Sequence, residues 1–192
     1  MVDGESELAF VASGCGTDRR TFMYNDYVIV GPPDDPAAVA ALSSLPEAMV
    51  AIGRSSVPFV SRGDDSGTHK RELSLWKAAG IDVGRFAVAH YLEVGGGMGR
   101  TLNMANSLGA YTLSDRSTWL SFQNRAQLRI WVENKPPLIN PYSVIRVNLA
   151  CHPHVRHRQA LLFADWLTSE PTLKRIEQFK VVGQQLFFPY QQ

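Results

Sequence analysis

The feature that most constrains this chain is a repeated alternation. Short runs of β-branched and aromatic residues end in glycine-rich polar loops, and each loop leads into a segment with helical spacing. Phe22 to Val30 reads as a strand, following a helix tail at Glu7 to Val11 and a turn at Ser13-Gly14-Cys15-Gly16-Thr17. Gly31-Pro32-Pro33-Asp34-Asp35-Pro36 breaks that strand, and Ala37 to Leu42, with Pro36 at a first helical position, predicts a short helix. Val57 to Val60 predicts a second strand. The polar loop Ser61-Arg62-Gly63-Asp64-Asp65-Ser66-Gly67-Thr68 follows, then a helix from about His69 to Ala79 closed by Gly80, with Leu73, Trp76 and Ala79 on one face. A third unit sets Gly95-Gly96-Gly97-Met98-Gly99 ahead of a helix over Thr101 to Leu108. A strand over Ala110 to Leu113 comes next, then a short helix capped by Asp115.

Leu128 to Val132 and Tyr142 to Val147 read as further strands, and His154 to Thr168 and Thr172 to Phe179 as helices. This order predicts an α/β fold with mainly parallel sheets, in which ligands sit beyond the carboxyl ends of the strands. At 192 residues and 45% hydrophobic, the chain can bury a core as one large domain or two small lobes.

Charge and pattern narrow the function classes. The 19 basic residues nearly cancel the 18 acidic ones, which argues against nucleic acid as a partner. No apolar stretch reaches the roughly 18 residues of a membrane span. The start Met1-Val2-Asp3-Gly4-Glu5 has neither a basic nor an apolar signal region, so no export signal is expected within the chain as given. Cys15 and Cys151 read first as two small buried hydrophobes, with a single disulfide as the alternative.

The loop over residues 61–68 carries the most chemistry. A helix N-terminus presents unpaired N–H groups and a partial positive charge, and Gly63 and Gly67 let the backbone approach a ligand. Ser66 and Thr68 add neutral donors, and Arg62 adds a planar cation able to hold two oxygens of an oxyanion. Asp65 is expected to cap the helix, and Asp64 to orient Arg62 or pair with Lys70. On residues alone the loop is either an anion cradle or an ordinary capped turn.

Three ordered segments carry a resemblance: Met23 to Pro32 (Met-Tyr-Asn-Asp-Tyr-Val-Ile-Val-Gly-Pro), Phe59 to Lys70 through the loop, and Gly97-Met98-Gly99 with Thr101-Leu102-Asn103-Met104-Ala105. Ala110 to Arg116, Asn140-Pro141-Tyr142, Phe163 to Ser169 and Gln185 to Pro189 continue it. In these segments the chain resembles the substrate-binding proteins of tungstate ABC transporters. The resemblance implies a type II periplasmic binding-protein fold, two α/β lobes joined by crossover strands with an oxyanion in the cleft. Lobe two would span residues 58–131, and residues 1–57 and 132–192 would form an incomplete lobe one with the crossover strands. Arg62 and Thr68 match ligand-contacting positions of that family, and Ser61, Ser66, Gly67, Met98, Gly99 and Thr101 complete the implied site. The implied ligand is tungstate, with molybdate as close competitor. The implied partner is a membrane permease and the implied location extracytoplasmic. No enzyme activity, cofactor or metal is implied.

Nothing in the chain matches the Thr/Ser-rich loop that the family carries near its mature N-terminus. The resemblance therefore implies a truncated first lobe, weakened binding and self-association through an exposed sheet edge. A non-binding remnant or dimerising module of the same fold is the alternative reading. Other constellations fit less well. All five histidines follow Ser66, against the His, Asp, Ser order of trypsin-like proteases. Cys151, His152, His154 and His157 read as a solvated helix entrance rather than a zinc or nickel site. Gly95 to Gly99 matches neither a dinucleotide fingerprint nor a P-loop.

Overall fold

In a computed structural model, residues 4–190 are described and the chain forms two compact units. The larger spans Asp26–Ile139, and the smaller joins the chain up to Asn25 with the chain from Asn140 onward. Both bounds differ from an expected division at 58–131: residues 26–57 and 132–139 belong to the larger unit. The expected acidic start at Met1, Val2 and Asp3 lies outside the described residues.

The larger unit is built on the second half of a long strand, β1 (Gly16–Gly31). Its Tyr27-Val28-Ile29-Val30 run is buried on both faces, as a continuous β-branched stretch requires. It pairs antiparallel with β4 (Thr112–Asp115) and β5 (Arg129–Val132). The expectation of mainly parallel sheets therefore fails for β1. It holds for β2 (Phe59–Ser61) and β3 (Tyr91–Glu93), which pair in parallel because the helix between them, α3 (Gly67–Ala78), serves as the crossover. A parallel bridge from Phe59 to Tyr111 extends this small sheet toward β4. A further helix, α4 (Met98–Leu108), leaves the end of β3 and stops at Gly109, whose φ of 58° is the left-handed conformation of a helix C-cap.

Between β1 and β2 the expected helix over 37–42 is only a 3₁₀ turn at Val39–Ala41. The true helix is α2 (Leu45–Arg54), opened by a reciprocal capping box between Ser44 and Glu47. Leu45, Ala48, Met49 and Ile52 form its buried stripe. They join Tyr27, Ile29, Phe59, Trp76, Tyr111, Leu113, Val132 and Leu138 in one core, in which Phe59 meets Trp76 edge-on at 5.1 Å. Each large side chain fully buried there contributes roughly 1.5–3 kcal/mol. Asp115 caps α5 (Arg116–Ser121) by accepting the Thr118 amide at 2.8 Å, as expected.

The smaller unit contains α1 (Gly4–Ala12), the first half of β1, β6 (Ile139–Val147), α6 (His157–Leu167) and α7 (Glu170–Gln178). Three two-residue strands follow: β7 (Lys180–Val181), β8 (Gln184–Gln185) and β9 (Phe188–Pro189), of which β9 pairs antiparallel with β1 at Met23 and Tyr24. Asp18 accepts from Arg20 and Arg146, and these guanidinium bonds, with Arg20 first, hold its carboxyl below the usual carboxylate range. The two cysteines are not separate buried hydrophobes. Cys15 and Cys151 form a disulfide with Cα atoms 5.4 Å apart, because the Asn148 amide bonds the Cys15 carbonyl and brings the end of β6 back beside the start of β1. Among the described residues no helix is long and apolar enough to cross a membrane.

Replacing both Cys15 and Cys151 by serine should lower unfolding stability by about 2–5 kcal/mol, read as a lower denaturation midpoint of the smaller unit. An unchanged midpoint would mean that the crosslink restrains nothing the fold does not already hold.

Candidate functional site

Parallel pairing places the ends of β2 and β3 side by side, so the two loops that follow run together and two helices start at one end of the small sheet. The Val94 amide donates to the Ser61 carbonyl at 3.0 Å and the Gly96 amide to the Arg62 carbonyl at 3.2 Å, tying the loops. At Gly63 the chain turns with φ 57°, and an added Cβ would come within 2.6 Å of the Glu93 Cβ, so only glycine fits there.

Within the first loop, Asp64 and not Asp65 meets Arg62. One Asp64 oxygen takes the Arg62 Nε at 3.1 Å together with Nη2, and the other accepts the Ser66 amide at 3.2 Å. Bonds from Ser66 and Arg62 outweigh partial burial and hold the Asp64 carboxyl below its ordinary range. Of the two roles expected for Asp64, the structure takes the orienting one. Lys70 lies 3.9 Å from Asp65. The expected cap is also corrected. Ser66, with extended φ and ψ of −71° and 168°, caps α3 by accepting the His69 amide, whereas Asp65 has φ 56° and an exposed side chain. A left-handed residue does not have the extended backbone typical of a cap.

The capping bonds can be counted. In α3 the Ser66, His69 and Lys70 amides are paired, and no acceptor is paired with those of Gly67 and Thr68 among the described residues. In α4, capped at Gly97 without a side-chain bond, the Arg100 and Thr101 amides both reach the Gly97 carbonyl, which leaves Met98 and Gly99. An added Cβ at Gly67, Gly97 or Gly99 meets no atom within 4 Å, so these helix starts face open space. The arrangement offers four backbone N–H groups, two partial positive helix ends and one guanidinium.

The expected site residues thus fall into two groups. Arg62, Ser66, Gly67 and Thr68 lie on the loop and helix start after β2, and Met98 and Gly99 on the helix start after β3, the two loops being tied by the Val94 and Gly96 amides. Ser61 and Thr101 are fully buried. The Ser61 hydroxyl donates inward to Glu72 at 2.6 Å and accepts the Gly63 amide at 3.2 Å, and Thr101 Oγ1 turns back to the Gly97 carbonyl at 3.4 Å. Both act here as supports of the loops, not as presented donors. Sequence reasoning missed Glu72 and Glu93, whose places follow from long-range packing. It also missed Gly97 as the cap of α4, although its position before Met98 and an apolar-spaced run was a usable signal. Of the His/Cys group near the C-terminus, Cys151 is held in the disulfide and the described residues contain no metal-binding cluster.

The PBP superfamily domain matches residues 3–171. The chain belongs to that superfamily. Within it the chain belongs to the family of the tungstate-binding proteins TupA, being 32% to 42% identical to three proteins of that name. It is 42% identical to the tungstate-binding protein TupA of Desulfovibrio alaskensis G20, with a TM-score of 0.85, covering 98% of this chain and 76% of that one. The tungstate ABC transporter structure from Geobacter sulfurreducens is 41% identical with a TM-score of 0.76, covering 91% of this chain and 73% of that one. The tungstate-binding protein TupA of Peptoclostridium acidaminophilum is 39% identical over 190 residues, 96% of this chain and 65% of its own length. The chain spans only 54% to 68% of the length of the curated relatives it matches. The proteins it resembles are named for binding or transporting a solute and not for catalysis, and the mixed α/β fold is that of the superfamily.

Because Gly63 is in the left-handed region and backed by Glu93, Gly63→Ala should destabilise the larger unit by about 1–3 kcal/mol in chemical denaturation. A variant as stable as the parent would show that the loop can relax without cost.

Proposed function

We propose that the two adjoining helix starts receive a tetrahedral dianion, tungstate or molybdate, and that the chain is the solute-capturing part of an ABC uptake system. The observation that carries this reading is the set of four amides, at Gly67, Thr68, Met98 and Gly99, that have no acceptor among the described residues, at two helix starts where Gly67, Gly97 and Gly99 border open space and whose loops are tied at Ser61 and Arg62. Helix N-termini favour anions by dipole and by unpaired N–H groups together, and neutral amides can hold a dianion without a cation for each charge. With Asp64 on its Nε edge, Arg62 keeps Nη1 for a ligand oxygen. The similarity to proteins named for tungstate binding supports the choice of ligand. It also supports an ABC permease as partner. No resident cofactor is proposed, since the oxyanion is cargo.

An extracytoplasmic location is part of the proposal. The Cys15–Cys151 disulfide supports it, because such crosslinks persist in oxidising compartments.

Calorimetric titration of the purified chain with tungstate and molybdate should give saturable binding. Arg62→Ala should weaken it about 10- to 100-fold, the value of one or two charge-assisted hydrogen bonds. Equal affinity in parent and variant would remove Arg62 from the site.

One observation favours a second reading, an interaction module of the same fold that self-associates. Helix α6 buries Ala164 yet turns Leu162, Phe163 and Trp166 outward, each more than half exposed, and Phe179 beyond α7 is likewise 50% exposed. On this reading a second copy covers that helix face, not a sheet edge. Sedimentation should then show a dimer that Phe163→Ser with Trp166→Ser converts to monomer, and a parent that is monomeric at all concentrations would exclude it.

A further inference from the structure

Glu72 lies in the middle of α3 with 2% of its surface exposed, and the oxyanion reading leaves it without a role. Three donors converge on its carboxyl: the Ser61 hydroxyl on Oε2 at 2.6 Å, and on Oε1 the Trp76 indole N–H at 3.1 Å and the Tyr91 hydroxyl at 2.7 Å. All three are neutral. Among the described residues no arginine or lysine is bonded to it, which is unusual for a carboxyl group buried this deeply. Of the charged and titratable groups around it, Tyr91 comes from β3, with Glu93 two residues further on, and His69 lies one turn earlier on α3 with its Nε2 3.7 Å from Glu93. Helix α2 and strand β4 also pack on α3, but Glu47 and Asp115 are engaged with their own helix caps and Arg54 makes no bond to Glu72. Arg62, the nearest loop cation in sequence, is paired with Asp64.

Through Ser61 this carboxyl is one bond from the loop, because the same hydroxyl oxygen accepts the Gly63 amide. An ionised Glu72 keeps the Ser61 proton directed inward, and among the described residues no cation is bonded to it, His69 offsetting its charge only through space. A dianion arriving at the loop therefore meets a like charge in a region of low dielectric, where repulsion is screened poorly. Neutralising the carboxyl removes that repulsion and leaves every hydrogen bond replaceable, with Glu72 becoming the donor to Ser61.

We propose that Glu72 is a positioning residue for oxyanion capture, ionised when the loop is empty and protonated when the dianion is bound, with Ser61 linking it to the loop. The inference rests on the oxyanion reading above. Burial, the largest influence, pushes the Glu72 carboxyl upward from its ordinary value against the three donors, and the charge of a dianion at the loop acts in the same direction. The proton comes from solvent, so capture is coupled to uptake of up to one proton. The sign follows from linkage: if the bound form holds more protons, affinity rises as pH falls, by at most about tenfold per pH unit.

The test uses the whole chain above neutral pH, where tungstate is a simple dianion. Tungstate is titrated into the parent, Glu72→Gln and Arg62→Ala in buffers of different ionisation enthalpy, and the carboxyl carbon of ¹³C-labelled Glu72 is followed by NMR. In the parent, proton uptake and a shift of that carbon from its ionised to its protonated position are expected on saturation. Glu72→Gln should bind more tightly than the parent at pH 8.5, with no proton uptake and a flat pH profile, while its melting temperature reports any loss of structure separately. Binding that Arg62→Ala weakens, with no movement of the Glu72 carbon and the same pH profile in Glu72→Gln, would overturn the role of Glu72 and leave the oxyanion reading standing. No tungstate binding by the parent would overturn both.

Discussion

The candidate site depends on the parallel pairing of β2 with β3. Only parallel strands put two consecutive strand ends, and so two helix starts, at the same edge of a sheet. The two amide bonds that follow, Val94 to Ser61 and Gly96 to Arg62, extend the pairing beyond the strands and hold the loops in register. Everything proposed at the site uses that register. The loops leading to α3 and α4 run together because of it, and the large core cluster with Phe59 and Trp76 behind β2 keeps it fixed.

The electrostatics are those of a site that relies on dipoles more than on full charges. The guanidinium of Arg62 is already balanced by Asp64, and Glu72 has only neutral partners. On the proposed reading, an anion is attracted by the surplus of N–H groups at the two helix starts. Asp64 contributes by position: it holds one edge of Arg62 and occupies the Ser66 amide, so the donors left over are those of Gly67 and Thr68.

Much of this was legible in the sequence, and what was not has physical reasons. Glycines at 63 and 67 and a serine before a helical run marked the first loop, and Asp115 marked its helix, because cap and turn chemistry is local. Three adjacent residues, Asp64, Asp65 and Ser66, could each have capped α3. The choice fell to Ser66 because the backbone is left-handed at Asp65, a fact of the folded loop. The helix α2 was legible in Ser44 and Glu47 but was overshadowed by the alanine-rich run before it, which forms only a 3₁₀ turn. The antiparallel partners of β1, the crosslink between Cys15 and Cys151 across 136 residues, and the convergence of Ser61, Trp76 and Tyr91 on Glu72 all join distant parts of the chain. No local pattern encodes them.

The central claim is that unpaired amides at two helix starts hold the oxyanion. It is tested most directly by following backbone amide resonances of the ¹⁵N-labelled chain while tungstate is added. The account predicts that Gly67, Thr68, Met98 and Gly99 shift together and saturate with one affinity, while the already paired amides of His69 and Thr101 move far less. Saturable shifts confined to other residues, with these four unmoved, would contradict it.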